Sequence, residues 1–120
     1  MSYDIFLNDP VSKDPIGIGF PHRIRGGTYQ VGGATTLELN ITYNYAPIFY
    51  RSDVFGEGGI RSLYGKTALE SIPILERAIA ALNDDIDPDY WKATDGNAKR
   101  ALIQLLAFAK MRPDGIWDGD

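Results

Sequence analysis

The sequence predicts a single α+β domain over residues 1–120, in which an antiparallel β-sheet from the N-terminal half packs against two main C-terminal helices. Glycine and proline crowd the first half and separate short β-prone runs, whereas alanine and leucine dominate after residue 67. Hydrophobic residues make up 44% of the chain and charged residues 23%, as in globular proteins. A chain of 120 residues can bury a core without a disulfide or metal.

Alternating apolar residues predict the strands. The first run, residues 3–7, alternates apolar and polar positions and ends in the turn sequence Asn8-Asp9-Pro10. Residues 28–31, between two Gly-Gly pairs, are a second candidate. The clearest run is residues 36–45, which places five apolar side chains on one strand face: Leu37, Leu39, Ile41, Tyr43 and Tyr45.

A helix is predicted from Thr67 to Leu82, because Thr67 and Glu70 have capping-box spacing and an apolar stripe follows. Pro73 disturbs this prediction, since a proline inside a helix removes a hydrogen bond. The alternative is a short turn at residues 67–71, followed by a helix that is capped by Ser71 and has Pro73 in its first turn.

The last helix is predicted to begin at Asp95-Gly96-Asn97, to run through about Met111 and to stop before Pro113. Gln104 is its only polar residue over positions 101–109. A helix that is apolar nearly all round either crosses the middle of a domain or buries a second face against another subunit. We therefore expect a homo-oligomer that forms through the Ala98–Met111 helix.

Composition narrows the classes of function. The chain has no cysteine and one histidine, His22, which excludes disulfides, thiolate metal sites and histidine-rich metal sites. The N-terminus lacks the features of a secretion signal and no apolar run could span a membrane, so we expect a cytoplasmic protein. A net charge of −4 argues against general nucleic-acid binding. We expect no metal and no cofactor.

The stretch GIRSLYGKT, residues 59–67, ends like a phosphate-binding loop. Such a loop has four residues between its first glycine and Gly-Lys-Thr, whereas five separate Gly59 from Gly65 here. No buried strand precedes it either. The pattern therefore favours a lysine near a helix start, with Thr67 as the cap, over a nucleotide-hydrolysing loop.

Helix N-termini attract anions, and two of the predicted helix starts carry neighbouring cations. Lys66 lies beside Thr67, while Lys99 and Arg100 follow Asn97. The sequence thus predicts a ligand site at the first start, against the alternative that these cations only keep the surface solvated. In this site Arg51, Arg61, Lys66 and Thr67 hold phosphate, and Tyr45 or Tyr50 stacks on a base.

Other aromatic residues follow no strand or helix period. Because aromatic side chains combine a large contact area with a polar tip, we interpret them as candidates for a pocket wall or an interface anchor. They are Tyr50, Tyr64, Tyr90, Trp91 and Trp117. The acidic residues Asp114, Asp118 and Asp120 are interpreted as part of a solvated tail.

Four stretches, residues 39–45, 59–67, 96–102 and 112–120, carry a resemblance over nearly the whole length to small uncharacterised proteins of phage and bacterial genomes. The resemblance implies a compact protein on a mobile element, for which counter-defence is a plausible role. It implies no activity and no role for any residue.

The first functional hypothesis is a non-catalytic binding protein that sequesters a nucleotide-like or phosphorylated signalling ligand. The second is an inhibitor that binds a host enzyme through an acidic surface. The third is a small hydrolase that uses His22 or a carboxylate as its base. No serine stands in a Gly-x-Ser-x-Gly context, so nothing in the sequence favours the third.

Overall fold

The computed structural model describes residues 2–22 and 34–120. Its strands and helices, in chain order, are β1 (Ser2–Asn8), β2 (Gly17–His22), β3 (Ala34–Thr36), β4 (Glu38–Thr42), α1 (Ala46–Phe49), α2 (Ala68–Ala80), α3 (Asp95–Met111) and β5 (Ile116–Gly119). Short 3-10 helices cover Tyr43–Tyr45 and Gly59–Leu63. The predicted α+β fold class is confirmed. The predicted strand at residues 28–31 lies outside the described residues.

The main sheet has three antiparallel strands in the order β4-β1-β5, and β2 pairs with β3 in a second, two-stranded sheet. Strand β1 lies in the centre, so that Ile5 pairs with Leu39 on one side and with Gly119 on the other. Its Tyr3, Ile5 and Leu7 are buried, as the alternation predicts. The strand that the sequence predicts over residues 3–7 is therefore confirmed.

The third strand of this sheet comes from the end of the chain rather than from the N-terminal half. Strand β5 pairs with β1 and places Trp117 opposite Leu7. Trp117 is 1% exposed, and its indole nitrogen donates a 2.7 Å hydrogen bond to the Ser71 hydroxyl of α2. Asp114, Asp118 and Asp120 are exposed as predicted, but the segment contains strand β5 and is not a tail. The interpretation of Trp117 as a pocket wall or interface anchor is wrong. Trp117 packs in the core between the sheet and α2.

The long strand predicted over residues 36–45 is interrupted. Strand β4 ends at Thr42, whose hydroxyl accepts a 3.1 Å hydrogen bond from the Asn44 N–H and so caps the following 3-10 helix. Beyond that point the two-residue alternation no longer applies. Tyr43 is only partly buried, whereas Tyr45 is fully buried in the core.

Helix α2 starts where the capping box predicts. The Thr67 hydroxyl accepts from the Glu70 N–H at 3.1 Å, and the Glu70 carboxylate accepts from the Thr67 N–H at 3.0 Å. The alternative start at Ser71 is wrong, because Pro73 lies inside the helix. A residue in place of Pro73 would donate its N–H to the carbonyl of Leu69, which is an exposed residue, so the missing bond lies on the solvent side.

Helix α3 runs through the bounds that the sequence predicts, and it packs mainly against α2. Some of its apolar residues are exposed to solvent. Ile103, Ala107 and Met111 recur every four residues and remain exposed. None of the helices within residues 2–22 and 34–120 is long and apolar enough to cross a membrane.

Candidate functional site

A cleft of about 80 Å³ opens beside the first turns of α3. One wall is the loop that precedes the helix, and the other is formed by the helix itself and the 3-10 helix after β4. Its lining residues are Tyr45, Asp87, Pro88, Tyr90, Asn97, Arg100 and Ala101. We call it the α3 cleft.

Asn97 fixes the shape of the α3 cleft. Helix α3 begins after Thr94, whose hydroxyl accepts from the Asn97 N–H at 3.1 Å. The buried Asn97 amide donates to the main-chain oxygens of Asp89 and Lys92, both at 3.0 Å, and accepts from the Asp87 N–H at 3.0 Å. These bonds use most of what one amide side chain can offer, so Asn97 holds the loop against the helix.

Two phenols form the inner wall of the α3 cleft. The Tyr45 hydroxyl donates to the main-chain oxygen of Tyr90, and the Tyr90 hydroxyl accepts from the Thr42 N–H at 2.8 Å. Their rings meet edge to face, with centroids 5.5 Å apart. Burial raises the pKa of Tyr45 and that of Tyr90, so both phenols are neutral at physiological pH.

Arg100 supplies the positive charge of the α3 cleft. It is half-buried, and it forms no ion pair with any carboxylate in the part of the chain that the structure describes. Burial is the main influence on the pKa of Tyr45, and Arg100 acts on it in the opposite direction. The guanidinium therefore lies within electrostatic reach of the phenol wall.

Asp87 also lines the α3 cleft, and its carboxylate already has a hydrogen-bond partner and an ion-pair partner. It accepts from the Asp89 N–H at 2.8 Å and pairs with Lys92 at 3.4 Å. The Asp89 hydrogen bond, with a further contribution from Lys92, lowers the pKa of Asp87. Asp87 thus stays ionised and is paired with Lys92, which leaves Arg100 as the cation of the cleft lining that can contact an anion.

No known protein family, no functionally described protein and no solved structure matches this chain. The expected relationship to phage and bacterial proteins therefore stays a prediction. Within the described ranges, no three histidine, aspartate or glutamate side chains are grouped so that they could hold a metal ion.

The structure does not gather the six predicted ligand residues into one cradle. The Arg51 guanidinium forms ion pairs with two carboxylates, that of Asp53 at 2.7 Å and that of Asp95 at 2.9 Å. Arg61 instead contacts Tyr43, with its guanidinium nitrogen 3.1 Å from the phenol oxygen. These arginines bond to different partners, and no contact among the described residues joins their guanidinium groups in a shared phosphate site.

The two tyrosines that are predicted to stack on a base differ in their exposure to solvent. Tyr45 is completely buried, so it is unable to stack on a base; it lines the α3 cleft instead. Tyr50 is 46% exposed and packs against Gly59, where a Cβ atom would lie 2.9 Å from a ring carbon. The exposed part of the Tyr50 ring can thus contact a ligand or a partner, close to the start of the Gly59–Leu63 3-10 helix.

The helix start at Thr67 offers no free donors for phosphate. The N–H groups of Ala68 and Leu69 donate to the main-chain oxygens of Gly115 at 2.7 Å and Pro113 at 3.0 Å. Glu70 completes the capping box, and its negative charge lies where a phosphate would have to bind. The N-terminus of α2 therefore lacks the free N–H groups that the predicted anion site requires.

The preceding loop is closed in the same way. The Gly65 N–H donates to the Trp117 oxygen at 2.8 Å, and the Lys66 N–H donates to the Leu63 oxygen at 3.0 Å. A phosphate loop needs such groups free to face the ligand. The structure agrees with the interpretation of this stretch as a helix start with Lys66 beside it.

Sequence reasoning placed cations at the start of α3 but did not choose between them. Lys99 pairs with Asp84 at 2.7 Å, whereas Arg100 lines the cleft. Neighbouring helix positions point about 100° apart, so Lys99 faces Asp84 and Arg100 faces the cleft. No sequence pattern marked Pro88 or Asn97 as a site residue, because their position in the cleft depends on how the loop before α3 folds back over the helix.

Proposed function

We propose that this protein is a non-catalytic binding protein that captures a small phosphorylated or nucleotide-like ligand, with its anionic group in the α3 cleft. The observation that carries the proposal is Arg100, a half-buried guanidinium on the cleft wall with no carboxylate partner among the described residues. Guanidinium groups bind phosphate oxygens through paired N–H donors. Arg100 would supply this contact.

The size of the cleft limits what enters it. Pockets that enclose drug-sized ligands start at roughly 300 Å³, and the α3 cleft has about 80 Å³. A phosphate-sized group fits, whereas a whole nucleotide does not. We therefore propose that the remainder of the ligand extends over the exposed rim, where Pro88 and the neighbouring Trp91 offer apolar surface.

Binding without catalysis agrees with the chemistry of the lining. Asp87 has a lowered pKa, which makes it a weak general base, and the Tyr45 and Tyr90 hydroxyls already take part in hydrogen bonds. None of the groups on the wall is a nucleophile that a neighbouring base activates. As part of the same proposal, the protein sequesters a signalling ligand in the cytoplasm of a bacterial host on behalf of a phage or other mobile element.

The test begins with protein purified from a bacterial host. Heat denaturation followed by mass spectrometry identifies any released small molecule, and thermal stability is followed against inorganic phosphate, mononucleotides and cyclic dinucleotides. We expect Arg100→Ala to lower the affinity for the tightest-binding probe by about 10- to 100-fold, because one charge-assisted hydrogen bond contributes roughly 1.5–3 kcal/mol. Calorimetric titration measures the change.

Arg77→Ala is the matched control, because Arg77 is an exposed cation on α2 and does not line the cleft. It should bind as the unchanged protein does. Equal losses in the two variants, or no response of the unchanged protein to any probe, would contradict the proposal. Recovery of a chemically altered probe would indicate an enzyme and would contradict non-catalytic binding.

We further propose that the chain self-associates through the exposed line Ile103, Ala107 and Met111 of α3. Only two of these side chains are large, so we expect a weak dimer that is seen by sedimentation equilibrium at high protein concentration. Ile103→Glu should shift the protein to monomer without loss of stability. Leu69→Glu, at an exposed apolar position on α2, is the control. A protein that is monomeric at every concentration would contradict this proposal.

A further inference from the structure

The α3 cleft has a carboxylate on its wall as well as the cation that would bind a phosphate. Asp87 and Arg100 both line it, and 28% of the Asp87 side-chain surface is exposed. Like charges repel more strongly where water is partly excluded. A ligand that filled the cleft with phosphate oxygens alone would therefore be repelled by Asp87.

Asp87 is held in a fixed position. Its main-chain N–H donates to the Asn97 side-chain oxygen at 3.0 Å, and its Oδ1 accepts from the Asp89 N–H at 2.8 Å. Pro88 follows directly, and the residue before a proline has a restricted backbone. A side chain that is already ordered loses less entropy when a ligand binds. Asp87 is thus preorganised for a contact in the cleft.

The Asp87 carboxylate has acceptor capacity left. The two oxygens of a carboxylate accept about four hydrogen bonds. Here Oδ1 accepts from the Asp89 N–H, and Oδ2 lies 3.4 Å from the Lys92 Nζ. The hydrogen bond from Asp89 lowers the pKa of Asp87, so the side chain stays ionised and only accepts. Asp87 therefore calls for a donor on the ligand.

The other polar side chains of the wall already have partners. The Tyr45 hydroxyl, the Tyr90 hydroxyl and the Asn97 amide form hydrogen bonds with the main chain. Recognition of a ligand thus depends mainly on the donors of Arg100 and the acceptors of Asp87. Because the cleft of about 80 Å³ admits little more than a phosphate-sized group, the two ligand groups that contact them must be only a few bonds apart.

A neutral donor suits Asp87 better than a cation does. Lys92 already supplies a positive charge to its carboxylate. With Arg100 on the same wall, the three side chains carry one net positive charge, which attracts an anionic ligand. An ammonium group beside the phosphate would cancel that attraction, whereas a hydroxyl group donates a hydrogen bond and adds no charge.

We propose, building on the proposed function, that Asp87 determines specificity by accepting a hydrogen bond from a ligand hydroxyl on the carbon next to the phosphate-bearing one. The ligand is then a ribonucleotide or another hydroxylated phosphate ester, and Arg100 binds its phosphate. An analogue that lacks the hydroxyl leaves the carboxylate of Asp87 facing the phosphate without a donor. Sites that bind a hydroxyl in this way reject analogues without it.

The test is calorimetric titration of the full chain with adenosine 3′-monophosphate and its 2′-deoxy analogue, which differ only in the hydroxyl next to the phosphate. At about pH 8 a phosphate monoester is a dianion, because its second pKa is about 6, so the phosphate has no proton to donate to Asp87. We expect the ribonucleotide to bind at least about tenfold more tightly, because it forms one more hydrogen bond to a charged group.

Asp87→Asn should reduce this preference to less than about threefold, because a neutral amide accepts more weakly than a carboxylate. The affinity for the deoxy analogue should stay equal or rise, since the repelling charge is gone. A merely structural role of Asp87 would instead lower both affinities alike. Asp89→Asn is the matched control, because it removes the same charge two positions away, from a residue outside the cleft lining. It should keep the full preference.

Arg100→Ala should weaken both nucleotides by the same factor, which separates the phosphate contact from the hydroxyl contact. Equal binding of the two nucleotides by the unchanged protein, or a preference that survives Asp87→Asn, would overturn this proposal and leave the proposed function in place. Binding of inorganic phosphate without binding of either nucleotide would do the same. If none of the three binds, both proposals are overturned.

Discussion

Trp117→Ala is expected to destabilise the protein by about 3–5 kcal/mol, the range for removing a buried aromatic side chain. Trp117 is 1% exposed and is among the largest fully buried side chains. Its removal leaves a cavity between β1 and α2 and also takes the donor away from the Ser71 hydroxyl. Because whole domains are stable by about 5–15 kcal/mol, the variant should lose a large share of its stability.

Chemical denaturation followed by circular dichroism measures this loss without depending on tryptophan emission. Trp91→Ala is the control, because Trp91 is 49% exposed and its ring forms an edge-to-face pair with Tyr90, with centroids 5.3 Å apart. Such a pair contributes roughly 0.5–1.5 kcal/mol. Similar losses in the two variants would contradict the place of Trp117 in the core.

The sequence predicted the elements whose signals are local. The alternation in β1 and the capping box at Thr67 each lie within a few residues, and the structure contains both. Strand β5 has no such signal. It is four residues long, its neighbours are aspartate and glycine, and its pairing partner Leu7 is more than a hundred positions away. A short strand of this kind is specified by tertiary contact and not by its own pattern.

The candidate site follows the same rule. The sequence predicted cations at the start of α3, but the choice of Arg100 over Lys99 depends on how the preceding loop packs on the helix, which places Lys99 beside Asp84 and Arg100 in the cleft. The predicted site at α2 did not form, because the first-turn N–H groups bond to residues after α3, such as Gly115. Local chemistry thus identified where helices begin, and long-range packing decided which start keeps an open cavity.

That dependence on packing makes Gly96 the second position at which a large effect is expected. Gly96 lies in the first turn of α3, where replacing glycine by alanine would ordinarily stabilise a helix by up to about 1 kcal/mol. Here a Cβ atom would lie 2.5 Å from the main-chain nitrogen of Ile86 and 2.6 Å from the main-chain carbonyl carbon of Asp85. Main-chain atoms do not move aside as a flexible side chain does, so the loop itself must shift.

We therefore expect Gly96→Ala to destabilise the protein by about 3 kcal/mol, the upper part of the usual range for overpacking. Gly17→Ala is the matched control, because its added Cβ would come no closer than 3.9 Å to the Thr35 oxygen. Thermal and chemical denaturation compare the two variants. The same loop carries Asp87 and Pro88 into the α3 cleft, so Gly96→Ala should also weaken any ligand that Arg100 binds. An alanine variant as stable as the control would mean that the loop does not pack closely on the helix, and the cleft would lose its outer wall.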